Sequence, residues 1–162
     1  MAKTSKTKSA AAKKSQLRIL IVEARYYPHI ADALLLGATE ELTRAGAAYD
    51  VVTVPGALEI PGVIAFAADA AAKKRAPYDG AVALGCVIQG ETYHFDIVAN
   101  ESAHGLMQLT LGRQLAVGNG ILTVDTEAQA VERLGGVHGH KGREAAKAAL
   151  AVIAVQKSLS GK

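Results

Sequence analysis

Between Gly85 and His94 the sequence gathers residue types that can bind an anion and move a proton. An apolar run, Ala81 to Leu84, leads into this stretch. A helical pattern leads out of it, with Phe95, Val98, Ser102, Leu106 and Leu109 on one face. The first N–H groups of a helix lack internal partners and lie at the positive end of its dipole. A strand that turns through glycines into a helix can therefore cradle a phosphate. Here the glycines are Gly85 and Gly90, and Glu91 and Thr92 occupy the turn. Thr92 offers a hydroxyl as well as a backbone N–H. His94 follows within the first turn and brings an imidazole, which titrates near neutrality, to the side of a bound anion. The spacing points to proton transfer beside a phosphate. Glycine-flanked turns also occur without a ligand, and a lone histidine is commonly a surface or interface residue.

Strands and helices must alternate to position these residues. Leu17 to Glu23 reads as a strand, followed by a polar loop with Tyr26 and Tyr27 and a helix from His29 to Ala45. Tyr49 to Val54 reads as the second strand, broken by Pro55-Gly56, with a helix from Leu58 to Lys74. Ala81 to Leu84 is the third strand, and the central helix runs from Thr92 to Leu111. A fourth strand, Ala116 to Val124, is read as interrupted by Gly118-Asn119-Gly120. Asp125 or Thr126 caps a helix to Arg133, Gly135 to Gly139 reads as a flexible link, and a last helix runs from Lys141 into Gln156. Strands apolar on both faces and alternating with helices predict a mostly parallel sheet covered on both sides. Ligands of such sheets bind at the carboxyl ends of the strands. Strand order alone gathers there Tyr26-Tyr27, Pro55 to Glu59, Gly85 to His94 and the Gly118–Gly120 region.

Composition restricts the function classes. The chain has 162 residues, half of them hydrophobic and a fifth charged, which suits one domain with a full core. No apolar run is long enough to span a bilayer, and no apolar segment follows the N-terminal lysines as in a signal peptide. The expectation is no membrane association. The net charge of +3 belongs to one segment: residues 1–16 carry five lysines and no acid, and the remainder has 13 basic and 15 acidic residues, a net −2. Residues 1–16 are thus expected to be a disordered basic tail, residues 17–162 a single folded domain, and nucleic acid no partner. The single cysteine, Cys86, excludes an internal disulfide and fits a cytoplasmic location.

Taken singly, the other candidates have structural readings beside functional ones. Tyr26 can stack on a planar ring or simply occupy a loop. Glu59 can accept hydrogen bonds from sugar-like hydroxyls or favour a helix N-terminus by its charge. Arg133 and Lys141 flank the glycine link and can clamp a phosphate or be solvated. Cys86, at an apolar strand end, reads as a small buried residue rather than a catalytic thiol. His29, His104, His138 and His140 show no metal-ligand spacing with carboxylates.

Two longer blocks are more specific: Val54-Pro55-Gly56-Ala57-Leu58-Glu59-Ile60-Pro61 and Leu84-Gly85-Cys86-Val87-Ile88-Gln89-Gly90-Glu91-Thr92-Tyr93-His94-Phe95-Asp96. Asn119-Gly120-Ile121-Leu122-Thr123, Glu127-Ala128-Gln129-Ala130 with Arg133, and Lys141-Gly142 with Glu144-Ala145-Ala146 follow in order. On these blocks residues 17–157 resemble the lumazine synthase (6,7-dimethyl-8-ribityllumazine synthase) family of riboflavin biosynthesis.

The resemblance implies a three-layer α/β sandwich, flavodoxin-like, with four parallel strands. It implies condensation of 5-amino-6-(D-ribitylamino)uracil with 3,4-dihydroxy-2-butanone 4-phosphate, with no metal or redox cofactor. Carried over by residue, Tyr26 stacks on the pyrimidine, Ala57, Leu58 and Glu59 hold the ribityl chain, and the backbone of Val87 and Ile88 reads the pyrimidine edge. Glu91 and Thr92 form the phosphate turn with Arg133 as its cation, His94 transfers protons, and Lys141 reaches the site from the last helix. The resemblance also implies a homo-oligomer with sites between subunits. Asn119, Arg133 and Lys141 would then serve the neighbour's site in a pentamer, with a shell of twelve pentamers as an open alternative. Many members have Phe at the position of Asn119, so a polar contact replaces a stacking surface. His140 stands where Asn often precedes the lysine. The rival reading is a non-catalytic copy that binds flavin or lumazine, or only forms a shell.

Overall fold

The computed structural model describes residues 16–161. The expected basic tail, apart from Gln16, lies outside the described residues. A four-stranded parallel sheet forms the centre: β1 (Arg18–Ala24), β2 (Ala48–Val54), β3 (Gly80–Ile88) and β4 (Ala116–Val124), in the spatial order β2-β1-β3-β4. Among the described residues five helices accompany it: α1 (Pro28–Arg44), α2 (Ile60–Lys73), α3 (His94–Arg113), α4 (Glu127–Val131) and α5 (Lys141–Leu159). A 3-10 turn, Ala57–Glu59, precedes α2, and a short antiparallel hairpin, β5 (Leu134–Gly136) with β6 (Gly139–His140), precedes α5.

Two apolar layers hold the sandwich together. Ile19, Ile21, Val82, Leu84, Leu122 and Val124 face α1 and α5, where Ile30, Leu34, Leu42, Ala146 and Ile153 meet them. Leu20, Val22, Ala81, Ala83 and Ile121 face α2 and α3, against Ile60, Ile64, Leu106 and Leu109. The three-layer α/β architecture matches the expectation. Among the described residues, no helix is long and apolar enough to cross a membrane.

Several local expectations need correction, and the causes are tertiary. The third strand does not end at Leu84: the ladder to β4 continues through Gly85↔Ile121 to Ile88↔Val124, and the Gln89 N–H still donates to the Val124 carbonyl at 2.9 Å. Gly85 is therefore a strand residue, and the turn occupies Gln89 to Tyr93. The helix begins at His94 rather than Thr92. β4 runs unbroken through Gly118-Asn119-Gly120. A Cβ at Gly118 would lie 1.9 Å from the Ala145 carbonyl oxygen, and one at Gly120 2.9 Å from that of Ala83. These glycines admit the close approach of α5 and β3 and do not turn the chain. Asn119 consequently lies mid-strand, opposite Ala83, and not at a carboxyl end. The presumed link is the β5–β6 hairpin, with Gly135 at φ +113° and Gly139 at φ +77°.

β1 and β3 pair only as far as Glu23↔Leu84, while β3 pairs with β4 four residues further. Beyond Leu84 the two central strands part. Their connections leave to opposite faces, α1 on one and α3 on the other, so a crevice opens at the carboxyl end of the sheet, where strand order reverses.

Candidate functional site

That crevice is a cleft of about 470 Å³, lined by Ala24, Tyr26 and Tyr27 after β1, by Pro55 to Glu59 after β2, and by Cys86, Val87, Ile88, Gly90, Thr92, His94, Phe95 and Val98 from β3 and α3. Its floor follows from the topology. Past Leu84, the edge of β3 that faced β1 has no strand partner, which leaves backbone groups around Val87 and Ile88 free to meet a ligand. Its α3 wall is the start of a helix: Tyr93 caps α3 without any side-chain hydrogen bond, so no capping side chain occupies the first-turn N–H groups. Thr92 and His94 both line the cleft at that end and both are exposed.

On the β2 side, Gly56 is extended and Ala57 to Glu59 form one 3-10 turn, with the Glu59 N–H donating to the Gly56 carbonyl at 3.2 Å. Ala57 is buried against the α2 core, which directs Leu58 and Glu59 outward along the cleft. On the β1 side, Tyr26 and Tyr27 meet edge to face, with centroids 5.0 Å apart and ring planes at 68°. Tyr26 is 74% exposed, a large apolar surface with little of its own to pack on. Tyr27 is half-buried, and burial, with the neighbouring Cys86 second, raises its phenol pKa. Burial, and then the charge of Glu127, pushes the Cys86 thiol up to about 11, so it is held neutral and is no nucleophile near neutral pH.

Of the residues singled out from the sequence, Tyr26, Ala57, Leu58, Glu59, Val87, Ile88, Thr92 and His94 come together in this cleft. Glu91 lies in the same turn, exposed, but does not line it. Arg133 and Lys141 lie elsewhere, in a polar depression of about 200 Å³ with Thr123, His138 and Glu144. They are tied to each other there: the Lys141 N–H donates to the Arg133 carbonyl at 2.9 Å, and Arg133 Nη1 donates to the Gln129 carbonyl at 2.8 Å. Asn119 lines neither hollow, and its Oδ1 accepts from the Ile121 N–H at 2.9 Å. Within one chain, then, the predicted set divides into two surfaces. The sequence pattern places Phe95 and Val98 on one helix face without assigning them to the site, and the first turn of that face opens on the cleft. Glu144 stands in the sequence only as part of the Lys141–Ala146 block and His138 only in the glycine link; neither is singled out for the site.

A family model described as 6,7-dimethyl-8-ribityllumazine synthase matches residues 16–157. The chain belongs to this family. It is 57% identical over 143 residues to the 6,7-dimethyl-8-ribityllumazine synthase of Afipia carboxidovorans, covering 88% of each chain. It is also 57% identical over 151 residues to the 6,7-dimethyl-8-ribityllumazine synthase 1 of Rhizobium meliloti, covering 93% of this chain and 99% of the relative. The 6,7-dimethyl-8-ribityllumazine synthase of Bartonella henselae is 58% identical over 142 residues, 88% of this chain and 90% of the relative. The Val54–Pro61 and Leu84–Asp96 stretches supply two of the cleft walls. The later blocks build the Arg133–Lys141 depression. Among the described residues, no three His, Cys, Asp or Glu side chains are grouped so as to hold a metal ion.

Proposed function

We propose that this protein condenses 5-amino-6-(D-ribitylamino)uracil with 3,4-dihydroxy-2-butanone 4-phosphate, giving 6,7-dimethyl-8-ribityllumazine, phosphate and water in riboflavin biosynthesis. Family membership along residues 16–157 is the observation that carries this reading. The cleft gives it a physical form. Tyr26 stacks on the pyrimidine, the Val87 and Ile88 backbone reads its edge, and Ala57, Leu58 and Glu59 hold the ribityl chain. Glu91 and Thr92 at the start of α3 bind the phosphate, and His94 is close enough to that turn to move protons. The aryl amine attacks the ketone and forms an imine, releasing a first water. Phosphate then leaves, and ring closure with loss of a second water completes the lumazine. Holding the two substrates together contributes on the order of 7–11 kcal/mol at best, and proton transfer by His94 roughly 10²–10⁴-fold.

The assignment of Arg133, Lys141 and Asn119 goes with an oligomer. In one chain Arg133 and Lys141 line a different hollow from His94, so they reach a phosphate at α3 from a neighbouring copy. A pentamer with sites between subunits is the assembly we infer, with a shell of pentamers as its larger form. A reducing cytoplasm suits a chain whose single thiol lies half-buried in the cleft. Mixing the two substrates with the protein and following lumazine absorbance tests the reaction; retention of a yellow ligand without turnover would make the protein a carrier. Reassembling dissociated His94→Ala and Arg133→Ala proteins together tests the shared site. Recovered activity is expected, because some interfaces then pair an intact His94 with a neighbour's intact Arg133. No recovery in mixed oligomers would return all the residues to one subunit.

A further inference from the structure

One charged side chain lies deep beside the cleft without lining it. Glu23, next to the last residue of β1, is 3% exposed on the α1 face of the sheet. Its Oε1 accepts from the hydroxyl of Thr53, its ladder partner on β2, at 3.0 Å. Both its oxygens accept from Arg25 Nη1 at 3.1 Å. The other arm of the same guanidinium donates to Asp32, one turn into α1. The Tyr27 carbonyl is held as well, accepting from the Ala31 N–H at 2.9 Å.

These contacts enclose a short loop. β1 ends at Ala24 and α1 begins at Pro28, so only Arg25, Tyr26 and Tyr27 connect them. Arg25 ties the start of that loop to the buried carboxylate and its far side to the helix. Tyr26 is its middle residue. The Tyr26 ring is too exposed to be held by packing, apart from the edge of Tyr27. Its direction therefore depends on a backbone that the Glu23–Arg25–Asp32 bridge holds. A buried carboxylate paired with a partly exposed guanidinium contributes little net stability, because taking the carboxylate out of water offsets the attraction. A planar guanidinium whose two arms reach two different carboxylates does impose a geometry, which an ammonium would not.

We propose that Glu23, acting through Arg25, is a positioning residue that holds the Tyr26 ring ready to stack on the planar ring of the substrate. The proposal rests on the reaction given above. Loss of the bridge frees the ring before binding, so the cost appears in affinity for the pyrimidine and not for the four-carbon phosphate, which binds at the α3 end. Ordering one side chain and its loop corresponds to about a three- to tenfold change in KM.

The test uses the full chain with Glu23→Gln, which removes the buried charge, and Asp32→Asn, which removes the charge at the exposed helix end of the bridge. Each variant is assayed for KM toward each substrate and for kcat, alone and combined with Tyr26→Ala. The expected result is a three- to tenfold higher KM for the ribitylaminouracil, with the phosphate KM and kcat within twofold of wild type. Neither variant should add to the loss already caused by Tyr26→Ala, a non-additivity that a merely structural role would not produce. Asp32→Asn keeps the test decisive if Glu23→Gln fails to fold. An unshifted pyrimidine KM, an equal rise in both KM values, or full additivity with Tyr26→Ala would overturn the bridge while leaving the reaction intact. No lumazine from wild type, assayed alongside, would overturn the reaction and the proposal with it.

Discussion

Gly142→Ala probes how closely α5 must sit for Lys141 to be placed. Gly142 is the second residue of α5 and is buried. A Cβ there would lie 2.1 Å from the Leu34 carbonyl oxygen and 2.9 Å from its carbon, whereas ordinary contact begins at 3.4 Å. The helix must back away by about 1.3 Å, the difference between the first and last of these distances. The neighbouring seam has no slack, because the His140 ring fills the space over Gly37, where a Cβ would lie 2.1 Å from Cε1. Overpacking of this kind costs about 1–3 kcal/mol. The better helix propensity of alanine returns up to about 1 kcal/mol. A net loss of roughly 1–2 kcal/mol lowers Tm by about 2–8 °C for a domain of this size. The displacement also moves Lys141, the preceding residue, and strains its hydrogen bond to Arg133. A misplacement near 1 Å can cost up to about 100-fold in rate, so kcat/KM should fall more steeply than stability. Thermal denaturation and steady-state kinetics read the two effects. Gly112→Ala is the control: among the described residues nothing beyond its chain neighbours and its own helix backbone lies within 4 Å of its Cβ position, and it should be neutral or slightly stabilising. Wild-type Tm and kcat/KM in Gly142→Ala would refute the claim that close α1–α5 contact positions Lys141.

The remaining predictions concern the cleft and its counterpart. His94→Ala should lower turnover by roughly one to three orders of magnitude with little change in either KM, as expected for general acid–base catalysis; unchanged turnover would remove His94 from the mechanism. Arg133→Ala should raise KM for the four-carbon phosphate about 10- to 150-fold, the equivalent of a charge-assisted hydrogen bond of about 1.5–3 kcal/mol. Equal weakening of the pyrimidine would indicate a structural role instead. With its thiol pushed up to about 11, Cys86 should be alkylated at pH 8 about two orders of magnitude more slowly than an unperturbed thiol. Alkylation at the rate of a free thiol would show that burial in the cleft does not hold it neutral.

The cleft was legible in the sequence where one strand determines one loop. Tyr26, Glu59 and His94 each follow an apolar run directly, and parallel order brings the ends of such runs to one side. What was not legible depends on partners far along the chain. Gly118 and Gly120 look like breakers, yet the Ala145 and Ala83 carbonyls require them inside a strand. Gly85 looks like the start of a turn until β4 is available to pair with it. Glu23 looks like the polar end of a strand. Only the pairing of β1 with β2 and the return of α1 put Thr53, Arg25 and Asp32 around it.

The division of the candidate residues follows from the same geometry. β4 is an edge strand, and the segments after it, α4 and the β5–β6 hairpin, carry Arg133 to the outer side of the sheet. The cleft opens two strands inward, between the ends of β1 and β3. Arg133, whose carbonyl is held by the Lys141 N–H, lines the hollow at that corner and not the cleft of its own chain. On the proposed reading it serves a second copy whose cleft faces that corner. A site divided in this way turns over only when assembled, so dissociation should abolish activity under conditions in which each chain keeps its fold. Activity that stays constant on dilution below the point of dissociation would contradict that division.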